Sequence, residues 1–172
     1  VLDLTGSAVS QNVAGDYWEG RELKSGVTTD PREFVPDRWR LVPLGPAQIY
    51  LTTANGVADF QGWAGRSWDP AFAGRYELLT GRVPRGSDEI MVSPAALAHL
   101  GARVGDTVAS GDGSTGYHVV GTMRDLMLPT SSEQVFGGAS AFPLTHDDPQ
   151  NSSWYLAGPP VDSVDMAGAD LA

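Results

Sequence analysis

The amino-acid sequence predicts an α+β domain that consists mostly of short mixed strands with a few short helices. Three observations support this fold class. Glycine (21 residues) and proline (12 residues) are frequent in the 172-residue chain and divide it into short elements. The apolar runs are short and rich in β-branched and aromatic residues, which favours strands. One short stretch combines the start signal and the stop signal of a helix.

In the first half of the chain, one hairpin is strongly indicated. Residues 15–46 contain four prolines, which we expect to break any long element there. Residues 48–54 are rich in β-branched and aromatic side chains and form the best candidate strand. Asn55-Gly56 predicts a tight turn, with the partner strand at residues 57–60.

The middle of the chain predicts a strand followed by a helix of about two turns. Residues 89–92 form a short apolar strand after a turn. Ser93 suits the N-cap of a helix and Pro94 suits its first position. Gly101 lies where a residue in the left-handed conformation would end that helix.

A glycine-dense loop at residues 111–116 has the letters of the phosphate-binding pattern G-x-G-x-x-G. That pattern requires a long helix after the last glycine, whereas the sequence predicts a strand at residues 117–120. Asp112 would also repel a phosphate. We therefore interpret the segment as a hairpin loop and expect no cofactor.

The last third of the chain has weaker signals. The returning strand either ends at Gly121 or extends beyond it. Residues 130–138 are polar and predict a loop, with a short helical turn at residues 132–135 as the alternative. Residues 153–157 predict a strand, and the tail after Pro160 has the signals of a helix start.

The composition narrows the possible functions. The formal net charge is −10, from 21 acidic and 11 basic residues, so the chain repels nucleic-acid phosphates and anionic lipid headgroups. Cysteine is absent, which excludes disulfides and thiolate metal sites. There is no apolar run of about 18 residues, no initiator Met and no signal peptide pattern. We expect the chain to be a piece of a longer protein.

Residues with catalytic or metal-binding chemistry are few. His146, Asp147 and Asp148 form the one cluster with metal-ligand chemistry, but no further spaced ligand accompanies them. Asp148-Pro149 is typical of a turn. The nucleophile pattern G-x-S-x-G is absent. We therefore expect neither a catalytic site nor a metal site, and keep a hydrolase that uses His146 and Asp147 as a distant alternative.

Four aromatic residues lie close together in a glycine-containing stretch: Trp63, Trp68, Phe72 and Tyr76. One interpretation is an exposed partner surface for a peptide, a lipid or a sugar. The interpretation we prefer is that the rings fill the junction between the first half of the chain and the β unit that follows.

An ordered series of motifs covers residues 76–121. It comprises a Leu-x-x-Gly-Arg-x-Pro turn, a Glu that opens a strand, a short Ala/Leu helix with Leu-Gly, a Val-Gly-Asp-x-Val turn and a closing Val-Val-Gly. The residues are Leu78, Gly81, Arg82, Pro84, Glu89, Leu100, Gly101, Val104, Gly105, Asp106, Val108, Val119, Val120 and Gly121. This series resembles the extracytoplasmic, MacB-like periplasmic domain of bacterial ABC-transporter permeases of the FtsX/MacB type.

We expect structural roles, not chemical ones, for the motif residues Gly81, Arg82, Pro84, Glu89, Gly101, Gly105, Asp106 and Gly121. Arg82 and Glu89 are expected to pair across the turn at Gly81. We also expect a single domain over residues 1–172, with one subdomain formed by residues 1–72 and 122–172. A small β unit of residues 73–121 would be inserted into this larger α/β subdomain.

The resemblance implies a non-catalytic domain on the extracytoplasmic side of the cell membrane. It would couple ATP-driven movement of membrane helices to an extracytoplasmic substrate or partner. The implied partners are a cytoplasmic ATPase subunit, an extracytoplasmic protein, peptide or lipid, and a second permease copy in the membrane, but no nucleic acid. The competing interpretation is a secreted or lipid-anchored ligand-binding protein.

Overall fold

The computed structural model describes residues 2–3, 17–22, 37–38, 40–142 and 153–157. Its strands are β1 (Leu2–Asp3), β2 (Tyr17–Glu22), β3 (Arg40–Thr53), β4 (Gly56–Gly65), β5 (Tyr76–Gly81), β6 (Glu89–Val92), β7 (Thr107–Ala109), β8 (Gly116–Asp125), β9 (Gln134–Gly137) and β10 (Ser153–Ala157). Within this part of the chain there is one α-helix, α1 (Pro94–Leu100), and a 3-10 turn at Pro70–Phe72. The fold is therefore mainly strand and of the α+β kind.

The ten strands belong to one mixed sheet. Their order is β1-β2-β10-β3-β4-β9-β6-β8-β5, and β7 pairs with β8 beside this path. Two pairs, β4 with β9 and β6 with β8, are parallel, and the other described pairs are antiparallel. No helix within the described residues is long and apolar enough to cross a membrane.

Strand β3 corrects the expectation that prolines break any long element in the first half. It runs unbroken for 14 residues through Pro43 and Pro46. The strand pairs with β10 along 40–43 and with β4 along 44–53, so each part has its principal neighbour on one side. Proline has no backbone N–H to donate to a neighbouring strand. It is tolerated within a strand where its nitrogen faces a side on which no strand is paired.

The predicted hairpin is confirmed, with a small shift in its turn. Thr53 pairs with Gly56, so the two turn residues are Ala54 and Asn55. Gly56 begins β4 with φ +111°, in a region that side chains disfavour. The Thr53 hydroxyl accepts the Asn55 N–H at 3.1 Å and donates to the Gly56 carbonyl at 2.9 Å, which fixes the turn.

Helix α1 follows the sequence signals. The Ser93 hydroxyl accepts the backbone N–H of Ala96 at 3.2 Å, and Pro94 occupies the first helical position. Gly101 has φ +63° and ψ +22°, and its N–H bonds to carbonyls of the last turn. The expectation of a helix capped at both ends is therefore confirmed.

Strand β9 overturns the expected loop at residues 130–138 and its helical alternative. Gln134, Val135, Phe136 and Gly137 are all buried, and they pair with β4 on one side and β6 on the other. A run of four residues between polar flanks is too short to show a hydrophobic periodicity, so only the pairing with neighbouring strands determines its conformation. Likewise β8 does not end at Gly121 but continues to Asp125.

The sheet is packed on both faces. Alternate residues of β6 and β9 belong to two clusters: Ile90 and Val135 face one side, and Met91 and Phe136 face the other. The first cluster packs against Leu100 of α1. The central strands are thus buried on both sides, as strands in the interior of a sheet usually are when elements cover both faces.

The division into a larger subdomain and an inserted β unit at residues 73–121 stays a prediction. Within the described residues the sheet runs continuously across the expected boundaries. Strand β6 of the inserted part pairs with β9 of the larger part, and β8 itself crosses from residue 121 to residue 122.

Candidate functional site

The motif residues gather around β8, where two glycines face each other. Gly81 of β5 pairs with Gly121 of β8. Gly81 has φ +75°, and a Cβ there would lie 2.3 Å from the Val120 carbonyl oxygen. A Cβ on Gly121 would lie 2.6 Å from the Thr80 carbonyl oxygen. The two backbones therefore approach each other more closely than any side chain would allow.

Arg82 and Glu89 close the loop between β5 and β6. The guanidinium donates to both carboxylate oxygens, at 2.8 and 2.5 Å, so the expected pair is present. Glu89 also accepts the backbone N–H of Arg85 at 2.7 Å. These hydrogen bonds, that from Arg82 first, lower the pKa of Glu89 from 4.5 to about 2. Pro84 is buried inside the same loop.

The Gly105-Asp106 turn connects α1 to β7 and is hydrogen-bonded to the backbone of β8. Gly105 has φ +103°, and its N–H donates to the Val119 carbonyl at 2.7 Å. The Asp106 carboxylate accepts the N–H of Arg103 at 2.8 Å, while its carbonyl accepts the N–H of Val119 at 2.9 Å. All these contacts fix backbone geometry.

The glycine-dense loop is a hairpin loop between β7 and β8. The Asp112 carboxylate lies at its centre and accepts the hydroxyl of Ser110 at 2.6 Å and the N–H of Ser114 at 3.0 Å. These bonds, with that from the Ser114 hydroxyl, lower the pKa of Asp112 to about 2. A fixed negative charge fills the place where a phosphate would have to bind, which agrees with the hairpin interpretation.

The structure places the four clustered aromatic residues in the second core cluster. Phe72 and Tyr76 are 1% and 8% exposed, and Trp63 and Trp68 are half-buried against them. Tyr76 meets Phe72 and Trp63 edge to face, with ring centroids 5.9 and 6.1 Å apart. An exposed patch made of all four rings is therefore not present, because tertiary packing uses their apolar surface.

The residues with catalytic chemistry are scattered where the structure describes them. His146, Asp147 and Asp148 lie outside the described residues. Within these, no group of three or more His, Cys, Asp or Glu side chains could hold a metal ion. His99 is 2.9 Å from a carboxylate oxygen of Glu133 at the surface.

A cavity that the sequence did not reveal lies between β5, β8, β9 and the start of α1. Its volume is about 200 Å³, and Leu79, Leu126 and Gln134 are among the residues that line it. The available signals were the apolar pairs Leu78-Leu79 and Leu126-Met127. All four side chains are exposed, so neither pair belongs to the core.

No family model and no curated protein matches this chain. Its fold is similar to those of three solved domains, one of them described as extracellular and one as periplasmic. A domain of a protein described as a permease from Porphyromonas gingivalis has a TM-score of 0.58 and 13% identity, over 81% of this chain and 70% of that one.

The second is the extracellular domain of the noncanonic ABC-type transporter YknZ from Gram-positive bacteria. It has a TM-score of 0.54 and 11% identity, over 77% of this chain and 73% of that one. The third is the periplasmic region of MacB from Actinobacillus actinomycetemcomitans. It has a TM-score of 0.56 and 15% identity, over 82% of this chain and 69% of that one. The resemblance to a MacB-like periplasmic domain is confirmed at the level of the fold.

Proposed function

We propose that this chain, whose fold is that of extracytoplasmic permease domains, is the extracytoplasmic domain of an ABC-transporter permease subunit. It is non-catalytic, and a separate cytoplasmic subunit hydrolyses ATP. The domain moves with the membrane helices of the full-length protein and passes that movement to a substrate or partner outside the cytoplasm. The two conformational states of the transporter must then differ in affinity for that partner.

One observation carries this proposal. Each of the three solved domains matches over at least 77% of this chain. One comes from a protein described as a permease, one from an ABC-type transporter, and the third is the periplasmic region of MacB. The sequence motifs add an independent reason, since they form one connected framework. Gly81, Gly105 and Gly121 fix the backbone around β8, and Glu89 fixes the adjacent loop between β5 and β6. A stiff framework suits a domain that transmits movement as a rigid body.

The alternative interpretation, a secreted or lipid-anchored ligand-binding protein, has lost its main support. It relied on an exposed aromatic surface, and Phe72 and Tyr76 of that set are core residues. A hydrolase built on His146 and Asp147 gains no support from the described residues. We retain neither as a second candidate.

The side of the membrane can be tested with one cysteine. The chain contains none, so Asn55→Cys in the exposed turn between β3 and β4 gives the domain a single reactive thiol. In cells that make the full-length protein, a membrane-impermeant maleimide should label this thiol without lysis. Labelling only after lysis would place the domain inside and overturn the proposal. A cytoplasmic protein with an exposed thiol is the control for leakage.

The transporter assignment needs a separate test. The coding sequence on either side of residues 1–172 should specify apolar segments of about 20 residues, the length that crosses a bilayer as a helix. The full-length protein should co-purify with an ATPase subunit. A flanking sequence with a signal peptide and no membrane helix would contradict the proposal.

A further inference from the structure

The turn between β3 and β4 contains a pair of residues with a reactivity of its own. An asparagine can lose ammonia when the backbone nitrogen of the next residue attacks its side-chain carbonyl. Glycine in the second position favours this attack, because it has no side chain that would block the approach. The chain contains three asparagines, and only Asn55 precedes a glycine, whereas the other two precede Val13 and Ser152. The sequence therefore singles out Asn55-Gly56.

The structure leaves the Asn55 side chain accessible for this reaction. Asn55 and Gly56 are both exposed. Within the part of the chain that the structure describes, the side-chain amide of Asn55 makes no hydrogen bond, and the printed bond of this residue is that of its backbone N–H. A Cβ placed on Gly56 would meet no atom within 4 Å, so the space beside it is empty. The side-chain amide is therefore neither buried nor held away from its neighbour.

The hairpin restrains the attacking nitrogen. Gly56 pairs with Thr53 in the antiparallel ladder, so its nitrogen belongs to the pair that closes the turn. The Thr53 hydroxyl adds two hydrogen bonds, from the Asn55 N–H at 3.1 Å and to the Gly56 carbonyl at 2.9 Å. The nitrogen is available when this end of the hairpin opens. Because the turn is exposed, such an opening is local and requires less free energy than global unfolding.

The corresponding aspartate pair, Asp112-Gly113, is protected against the same ring closure. Asp112 is the one aspartate in the sequence that precedes a glycine, and its carboxyl group must be protonated before it can react. Its Oδ1 accepts the Ser110 hydroxyl at 2.6 Å, and the N–H and hydroxyl of Ser114 at 3.0 and 2.8 Å. These bonds lower the pKa of Asp112 to about 2. The group is therefore a fixed carboxylate at neutral pH and serves as an internal control.

We propose that Asn55 is a deamidation site of the folded chain and that the Thr53 hydroxyl controls its rate. The Gly56 nitrogen attacks Cγ of Asn55 and loses its proton, a C–N bond forms, and the side-chain nitrogen leaves as ammonia. Water then opens the resulting cyclic imide at either carbonyl, which gives aspartate or β-linked isoaspartate. Water is the only co-reactant, and no oxidation or reduction takes place. The site belongs to the chain itself and does not depend on the proposed function.

The two products change the hairpin in different ways. Both add a negative charge to a chain whose net charge is already −10. Isoaspartate also inserts an extra carbon into the backbone between residues 55 and 56. The length of the turn fixes the register of a hairpin, so the β-linked form should loosen the end of the β3–β4 pair, whereas aspartate leaves the backbone unchanged. The reaction therefore alters the longest hairpin among the described strands without any cleavage of the chain.

The first experiment incubates the folded chain and a synthetic peptide of residues 50–60 side by side at mildly alkaline pH. Proteolytic digestion and mass spectrometry then measure the fraction of residue 55 that has become an acid, and chromatography separates aspartate from isoaspartate. We expect conversion at residue 55 of the folded chain, slower than in the peptide, and no isoaspartate at residue 112. An unchanged Asn55 in the folded chain after the peptide has fully converted would overturn the proposal, as would faster conversion at residue 12 or 151.

A pair of variants tests the role of the hydroxyl. Thr53→Val keeps the branched shape, removes the hydroxyl, and should raise the rate of deamidation by about two- to tenfold, the range that corresponds to one lost hydrogen bond. Amide hydrogen exchange at Gly56 should accelerate by a similar factor, because both processes need the same opening. Thr52→Val is the matched control, since its hydroxyl donates to the Ser110 carbonyl at 3.1 Å and should not affect the rate. Equal rates in Thr53→Val and the wild type, or an equal increase in Thr52→Val, would contradict control by Thr53.

Discussion

Asp69, at the start of the 3-10 turn, holds the guanidinium of Arg40, at the start of β3, by two hydrogen bonds of 2.6 and 2.7 Å. The Asp69 side chain is 2% exposed, whereas that of Arg40 is 55% exposed. The same carboxylate accepts the N–H of Ala71 at 3.0 Å and caps the turn. Burial raises the pKa of Asp69, but the bonds from Arg40 and Ala71 outweigh it and hold the pKa below its ordinary value.

Replacing Asp69 by Ala should lower the free energy of unfolding by about 2–4 kcal/mol, because both the cap and the charged pair are lost. The measurement is urea denaturation followed by tryptophan fluorescence. Glu77→Ala is the control, since it removes an exposed partner of Arg124 and should cost about 0–1 kcal/mol. Similar losses in the two variants would show that burial of Asp69 does not matter.

Acid should destabilise the chain through Glu89. Its pKa is 4.5 when unperturbed and about 2 in the fold, so the folded state binds the proton more weakly than the unfolded state. The stabilisation is complete above the unfolded pKa and is lost as the pH falls towards about 2. Denaturant unfolding across this range measures the slope. Glu89→Gln should be less stable at pH 7 and show a shallower slope; an unchanged slope would contradict the assignment.

Gly121→Ala should destabilise the chain by about 1–3 kcal/mol, because the added methyl group meets backbone that cannot move aside. The new Cβ would lie 2.6 Å from the Thr80 carbonyl and 2.8 Å from that of Arg82. Gly138→Ala is the matched control, since its Cβ would meet only the Ser140 hydroxyl, at 3.8 Å. Thermal unfolding by circular dichroism compares the two. Equal melting temperatures would mean that the β5–β8 approach is looser than described.

Ser93→Ala should cost about 1–3 kcal/mol, since it removes the helix cap and leaves the Gln134 N–H without its acceptor. Ser87→Ala, at an exposed residue in the loop before β6, is the control and should change stability by less than about 0.5 kcal/mol. Amide hydrogen exchange should localise the effect, with faster exchange at Ala96 and Gln134. A loss of stability without faster exchange at these two amides would contradict the described bonds.

The sequence predicts those parts of the fold whose determinants are local. Ser93, Pro94 and Gly101 each specify a backbone conformation within a few residues, and α1 follows them. Strand β9 has no such determinant, because Val135 and Phe136 become a strand only between β4 and β6. At Pro46 a local signal was present, but the prediction from it was wrong. The effect of a proline depends on which side of its strand is paired, and the tertiary structure determines that side.

The cavity could not be predicted for a related reason. Leu79 is distant in sequence from Leu126 and Gln134, and the pairing of the strands brings it next to them. Their residue types are ordinary in strands and loops. The exposure of the two leucines becomes visible only once the strands are placed.

Strand β9 also determines the order in which the sheet can be completed. Synthesis runs from the N-terminal to the C-terminal side, so the residues of β4 and β6 are made well before residues 134–137. Until then the two edges that β9 will occupy lack their partner, and pairing across them must wait for a contact between segments distant in sequence. Open edges of this kind favour pairing with other chains. The interval between the synthesis of β6 and that of β9 is therefore one in which a nascent chain is exposed to aggregation.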